Sequence, residues 1–181
     1  MSHALYIFEG VDGSGKTTLS KIFAERMGGV YYKGLPKILR PYKNFVDKNL
    51  PAFLRYAFYT LGNKISYKEI AKLLKNTDVI VDQFIYCTIA FHTVSMGKKL
   101  RVPAIPLSPD KIIYLNTESW NEIDARLDKR GGRKKLEELD YLKEVDGIYQ
   151  EVFSDMKNVI FFSNSKTIEE SIEKLMTAIK N

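Results

Sequence analysis

The sequence predicts an α/β protein of the P-loop NTPase type: a three-layer sandwich with a five-stranded parallel sheet, helices on both faces and a short lid. Three observations predict it. Short apolar runs of strand length alternate with stretches striped at helical spacing. A phosphate-binding loop stands between the first run and the first stripe. The chain has 181 residues, 45% of them hydrophobic, enough for one core and too few for two independent domains. Residues 1–181 therefore read as a single domain, with about 126–136 inserted as the lid.

Each element follows from local pattern. Ala4-Leu5-Tyr6-Ile7-Phe8 runs to Gly10, as a buried strand entering a tight turn does. From Lys16 onward Leu19, Ile22, Phe23 and Met27 recur at helical spacing, and Gly28-Gly29 ends the helix. Val30-Tyr31-Tyr32 is a second strand, cut off by Gly34 and Pro36, and the path from Gly34 to Leu50 carries no clear pattern. Residues 51–75 read as two helices, broken near Gly62-Asn63 and Ser66. Val79-Ile80-Val81 is a buried strand with Asp82 at its end, followed by a helix from about Ile85 to Met96 that Gly97 stops. Lys111 to Leu115 is a fourth strand, and the helix after it reaches Gly131-Gly132. Leu136, Leu139, Leu142, Tyr149 and Val152 mark a further helix, Val159 to Phe162 a fifth strand. Ile168, Ile172, Leu175, Met176 and Ile179 stripe the last helix at steps of three and four.

Composition narrows the function. The single cysteine, Cys87, allows no intramolecular disulfide, and no apolar leader follows MSHALY, so a reducing, cytoplasmic setting is expected. No apolar run approaches a membrane span. His3, His92 and Cys87 stand at unrelated positions, so a divalent ion would be held by oxygen ligands and phosphate. The net charge of +6 and pI of about 9.2 suit either a nucleic acid or a ligand with several phosphates. KRGGRKK, Lys129 to Lys135, is by itself an ordinary solvated turn.

The chemistry begins at FEGVDGSGKTT. Gly10, four residues, then Gly15-Lys16-Thr17 is the full phosphate-loop spacing. Its glycines, with Ser14 and Thr18, let backbone N–H groups face phosphate oxygens; Lys16 reaches the outer phosphates and the Thr17 hydroxyl suits Mg²⁺. A GTP switch would need Asn-Lys-x-Asp after a strand, and Asn63-Lys64-Ile65-Ser66 lacks the acid and sits on a helical stretch. A switch would also place Asp-x-x-Gly after its metal-side strand, whereas Asp82 is followed by Gln83-Phe84-Ile85. A motor core needs more chain. A small kinase fits better, because transfer between two bound phosphates needs charge screening and exclusion of water. Asp82 supplies a strand-end carboxylate for Mg²⁺ or its waters, unless it only caps the next helix. Arg126 to Lys135, basic and with a glycine pair, suits a lid that folds onto phosphates.

In this order the motifs resemble the thymidylate kinase family of nucleoside monophosphate kinases. FEGVDGSGKTT is similar to its phosphate loop, VIVDQFIYCTIAFH to its Asp-Arg-Tyr segment and following helix, and IIYLNTESWNEIDARLDKRGGR to its strand, helix and lid. EELDYLKEVDGIYQEVF and NVIFFSNSKTIEESIEKL are similar to the helix after the lid and to the final strand and helix. The resemblance implies transfer of the ATP γ-phosphoryl to dTMP in dTTP biosynthesis, with Mg²⁺, in a homodimer without membrane or nucleic-acid partners. It implies that Asp12 contacts the sugar 3′-hydroxyl of the acceptor. It also implies that Arg126 stacks on adenine and that Arg130 or Arg133 approaches the phosphoryl group. Gly13 stands where some members carry an arginine, which passes that duty to the lid.

Departures from the family cluster on the acceptor side. Gln83 replaces the arginine of Asp-Arg-Tyr that holds the acceptor phosphate, and Phe91-His92 replaces a Tyr-Gln near the base. Lys33 and Arg40 stand in for the usual arginine-proline segment after the second strand, while Phe58, Tyr59 and Arg55 are available in the helix that carries the base-stacking aromatic. Three readings stay open: a dTMP kinase; a kinase for another pyrimidine monophosphate or a nucleoside, which would not need that arginine; and a nucleotide-binding protein without transfer activity.

Overall fold

A computed structural model describes residues 3–104, 106–129, 135–164 and 167–180. Five strands, β1 (Leu5–Glu9), β2 (Val30–Lys33), β3 (Val79–Asp82), β4 (Lys111–Leu115) and β5 (Val159–Phe162), form one sheet in the order β2-β3-β1-β4-β5. Every pairing is parallel. Phe8 and Lys33 both lie opposite Asp82, so β1, β2 and β3 end together at one edge of the sheet. Ligands of open α/β sheets bind outside that carboxyl edge.

Alternation along the strands builds two cores. Leu5, Ile7, Val79, Val81, Ile112 and Tyr114 face one side, packed under α4 (Ile85–Met96), α5 (Trp120–Asp128) and α6 (Leu139–Phe153). Tyr6, Phe8, Ile80, Ile113 and Leu115 face the other, under α1 (Lys16–Met27) and α7 (Ile168–Lys180). A layer on each face is what the run of buried strands requires.

Three details differ from the sequence pattern. Residues 51–75 hold one helix, α3 (Ala52–Leu73), rather than two. Gly62, Asn63 and Ser66 are buried contacts: a Cβ on Gly62 would lie 3.0 Å from Leu35 Cδ1, Asn63 Nδ2 donates to Thr88 Oγ1 at 2.9 Å, and Ser66 Oγ donates to the Gly34 carbonyl at 2.6 Å. Tertiary packing overrides their weak helix propensity. Leu136 belongs to a 3-10 turn (Lys135–Glu137), outside α6, and α5 stops at Asp128. The unpatterned segment folds as a second 3-10 turn (Lys37–Tyr42) and a short helix, α2 (Lys43–Asn49). Gly131-Gly132, Arg130, Arg133 and Lys134 lie outside the described residues.

Candidate active site

Strand β1 is buried throughout and delivers the chain to the carboxyl edge, where Gly10 (φ 146°) and Gly13 (φ 89°) turn it into α1. Both angles are left-handed and favour glycine. Space argues the same way at Gly13, where a Cβ would stand 3.0 Å from Ile123 Cγ2 on α5. A side chain at this position would start against α5 and require Ile123 to give way, besides adopting a strained backbone angle. Lys16 is 4% exposed, and its ammonium donates to the Val11 carbonyl at 2.9 Å and to Asp12 Oδ1 at 3.3 Å. The free amides at the start of α1 and this ammonium make the loop an anion site. Asn164, from the turn after β5, braces it by donating to the Ser14 carbonyl at 2.7 Å.

Beside the loop, Thr17 Oγ1 donates to Asp82 Oδ2 at 2.7 Å, and Tyr31 OH donates to the same oxygen at 2.8 Å. Asp82 Oδ1 is buried with no hydrogen-bond partner. Such an orphaned oxygen next to a hydroxyl fits a hard cation that takes its other ligands from phosphate and water. No group of three or more His, Cys, Asp or Glu suited to a metal occurs among the described residues. Asp82 does not cap the next helix. Glu9 does that: its Oε1 accepts the Phe84 amide at 2.9 Å and the Cys87 amide at 3.3 Å, and its Oε2 accepts the Tyr149 hydroxyl at 2.9 Å. Burial pushes the Glu9 carboxyl up to about 7, against the pull of those donors and of Lys16. Burial also raises the Cys87 thiol, which leaves it protonated and unreactive.

A cleft of about 490 Å³ runs from the loop outward between α3 and α4. Asp12, Gly13, Gly15, Lys16, Thr17, Thr18 and Asp82 line it, as do Lys33, Arg55, Tyr59, Gln83, Phe91 and His92. Gln83 holds the unusual φ of 62°, with Gly34 pressed against its carbonyl so closely that a Cβ there would overlap it. Tyr59 OH donates to Asp47 Oδ1 at 2.6 Å, and Asp47 also pairs with Lys43, whose ammonium lies 5.7 Å over the Tyr59 ring. His92 packs against the Tyr56 and Tyr59 rings. Its Nδ1 lies 2.8 Å from the Thr88 carbonyl, which can only accept, so Nδ1 carries the proton. Burial lowers the His92 pKa, and the ring is neutral at pH 7.

The structure brings most of the sequence-derived candidates to one cleft, and sequence reasoning missed part of its wall. Gly10 and Ser14 shape the loop from behind rather than line the cleft, and Ser14 Oγ is buried without a partner. Arg126 lies on the α5 side of the loop, where Nη1 donates to the Gly13 carbonyl at 3.4 Å and Nη2 to Glu122 at 3.0 Å. Arg40 lines the cleft, with its guanidinium tied to the Leu35 and Lys33 carbonyls; Phe58 does not line it. Lys43, Asp47, Asn63 and Thr88 line it unforeseen. The pairing of Lys43 with Asp47 at i,i+4 was the one signal available for the first two.

A phosphate loop at the carboxyl edge of a 2-3-1-4-5 parallel sheet, opening on a nucleotide-sized cleft, defines a P-loop phosphotransferase of the nucleoside monophosphate kinase class. Comparison with known proteins gives the family. The thymidylate kinase family profile matches residues 8–175, and the chain belongs to that family. A probable thymidylate kinase of Methanocaldococcus jannaschii is 29% identical over 97% of this chain and 95% of its own. The human mitochondrial UMP-CMP kinase 2 is 31% identical over 96% of this chain and 42% of its own. The structure of thymidylate kinase from Candida albicans superposes with a TM-score of 0.77 at 21% identity, covering 99% of this chain and 92% of that one. The protein is an ATP-dependent kinase of nucleoside monophosphates.

Proposed function

We propose that this kinase transfers the γ-phosphoryl of ATP to dTMP, giving dTDP and ADP for dTTP synthesis. The observation that carries the reading is one continuous cleft, lined both by the phosphate loop, Asp12 included, and by the aromatic and polar side chains Tyr59, Phe91 and His92. Lys16 and the loop amides hold the donor phosphates, with Gly10, Gly13, Ser14, Gly15 and Thr18 setting the curve of the backbone. Thr17 and Asp82, directly or through water, would hold Mg²⁺, which would supply charge screening on the phosphates. The acceptor phosphate is already an anion, so no side chain need remove a proton: its oxygen attacks Pγ, and the bond to the ADP oxygen breaks. Asp12 meets the acceptor sugar, and the cleft cations Lys33 and Arg55 take the duty left by Gln83. Arg130 and Arg133 complete the charge from the lid, about 126–136. Its flanks support this, since Arg126 touches Gly13 and Leu136 and Glu137 line the cleft.

We further assign a homodimer, because six large exposed apolar side chains, Ile38, Tyr42, Phe45, Phe53, Leu54 and Leu61, fall within residues 38–61. No helix among the described residues is long and apolar enough to cross a membrane, and we place the enzyme in the cytoplasm. The cations of Lys33, Arg40, Lys43 and Arg55 face the nucleotide cleft, so the basic charge calls for no nucleic-acid partner.

Gln83 supports one other reading, a different pyrimidine monophosphate or a nucleoside as acceptor. ADP release from ATP and Mg²⁺ against dTMP, dUMP, UMP, CMP and thymidine, one at a time, decides between them. Greatest stimulation by dTMP is expected. Stimulation by thymidine alone would overturn the monophosphate reading.

A further inference from the structure

The carboxylate of Asp82 is held unevenly. Its Oδ2 takes two hydroxyl donors, Thr17 from the first turn of α1 at 2.7 Å and Tyr31 from β2 at 2.8 Å, while Oδ1 is buried and takes none. Tyr31 lies on the edge strand, opposite Ile80 and two residues before Lys33, so its phenol reaches along the strand pair to meet Asp82. Lys21 Nζ lies 5.6 Å over the ring, only as a distant neighbour, and Tyr31 with Thr17, Lys21, Lys33 and Arg40 walls a recess of about 310 Å³ beside the loop.

We propose that Tyr31 is a positioning residue for the kinase reaction, its hydroxyl fixing the plane of the Asp82 carboxylate so that Oδ1 is kept for Mg²⁺ or a water bound to it. The proposal rests on the reading of this corner as the site of an ATP-bound divalent ion. Thr17 cannot do the work alone. Its oxygen has lone pairs for the ion and one proton for Asp82, so one bond would leave the carboxylate free to rotate about Cβ–Cγ. A second donor on the same oxygen removes that freedom. Partners of this kind, one step removed from a metal, typically govern affinity by about 10-fold or more.

The test is Tyr31→Phe, which removes one oxygen and keeps the ring. Binding of a fluorescent ATP analogue is titrated with Mg²⁺ and again in excess EDTA, and Mn²⁺ held by the protein–nucleotide complex is read by electron paramagnetic resonance. The expected result is about 10-fold weaker metal-dependent binding and a broadened Mn²⁺ signal. Metal-free nucleotide binding, acceptor KM and the thermal midpoint stay as in the parent. Lys21→Met, which leaves the phenol in place, should show no metal effect. Equal losses with and without metal, no loss in either, or a variant that melts below the assay temperature would each overturn the proposal. Parent protein that binds nucleotide equally well without Mg²⁺ would overturn the metal reading itself, a result seen before any substitution is made.

Discussion

Glu9 Oε2 accepts the Tyr149 hydroxyl at 2.9 Å, joining the strand that enters the phosphate loop to the helix that follows the lid region. With Phe84 and Cys87 donating to Oε1, one fully buried carboxyl ties the donor loop, the acceptor-side helix α4 and the lid-side helix α6 together.

That carboxyl should make stability depend on pH. Burial raises its pKa from 4.5 to about 7. Between those values the unfolded chain has lost the proton and the folded protein keeps it, so stability from this group falls as pH rises through the window. Lys16, Cys87, Tyr86, Tyr114 and Tyr149 are the titratable groups that couple to it. Glu9→Gln removes the titration. The unfolding free energy of the variant relative to the parent should climb by about 3 kcal/mol between pH 4.5 and 7 and level off above. Urea melts at half-unit pH intervals measure it, and a difference flat in pH would show that Glu9 is ionised throughout.

His92 predicts the opposite slope. Its pKa is lowered chiefly by burial, with Arg55 adding to the shift and the Thr88 bond and Asp47 opposing it. Below pH 6.5 the unfolded imidazole takes a proton that the folded one refuses, so stability present above that value is lost as pH falls. His92→Gln should flatten that acid limb. The Nε2 of the neutral ring has no partner among the described residues and remains an acceptor on a cleft wall. dTMP offers an N3–H to it where dCMP offers only a lone pair, so the substitution should also narrow the preference for dTMP over dCMP, read as the ratio of kcat/KM values.

Two glycines that look alike in sequence should behave differently. A Cβ on Gly34 would overlap the Gln83 carbonyl, which is backbone and cannot turn aside. Gly34→Ala should cost at least about 2 kcal/mol and raise the acceptor KM by shifting the Gln83 turn. On Gly62 the nearest atom, 3.0 Å away, is the end of the Leu35 side chain, which can move. Alanine there also gains about 1 kcal/mol of helix propensity, so Gly62→Ala should melt no earlier than the parent. Paired thermal melts decide, and equal losses would refute the distinction.

The same glycines show why the fold was more legible than the acceptor site. The loop is contiguous, and its strand and helix follow from local pattern, so Gly10 to Thr18 could be read directly. Gly62, Asn63 and Ser66 look like helix breakers because the partners that make them useful, Leu35, Thr88 and the Gly34 carbonyl, are distant in sequence. Lys43 and Asp47 reach the cleft through packing of a segment with no periodicity. Glu9 was visible only as a letter of the loop motif, since the three donors that define its role come from α6 and from the start of α4.

Gln83 carries the sharpest remaining question about the acceptor. Its side chain lines the cleft from a left-handed backbone position (φ 62°) that no Cβ-bearing residue relieves, so arginine can replace it without new backbone strain. A guanidinium at this point would meet the acceptor phosphate with paired bonds between two ions, where the neutral amide brings donors but no charge of its own. Gln83→Arg should lower the KM for dTMP by about 10-fold, worth roughly 1.4 kcal/mol, and leave the KM for ATP and the melting temperature unchanged. With thymidine, which has no phosphate, the same variant should show no gain. An unchanged KM for dTMP would mean that residue 83 does not touch the acceptor phosphate, and Lys33, Arg40, Lys43 and Arg55 would then carry that duty alone.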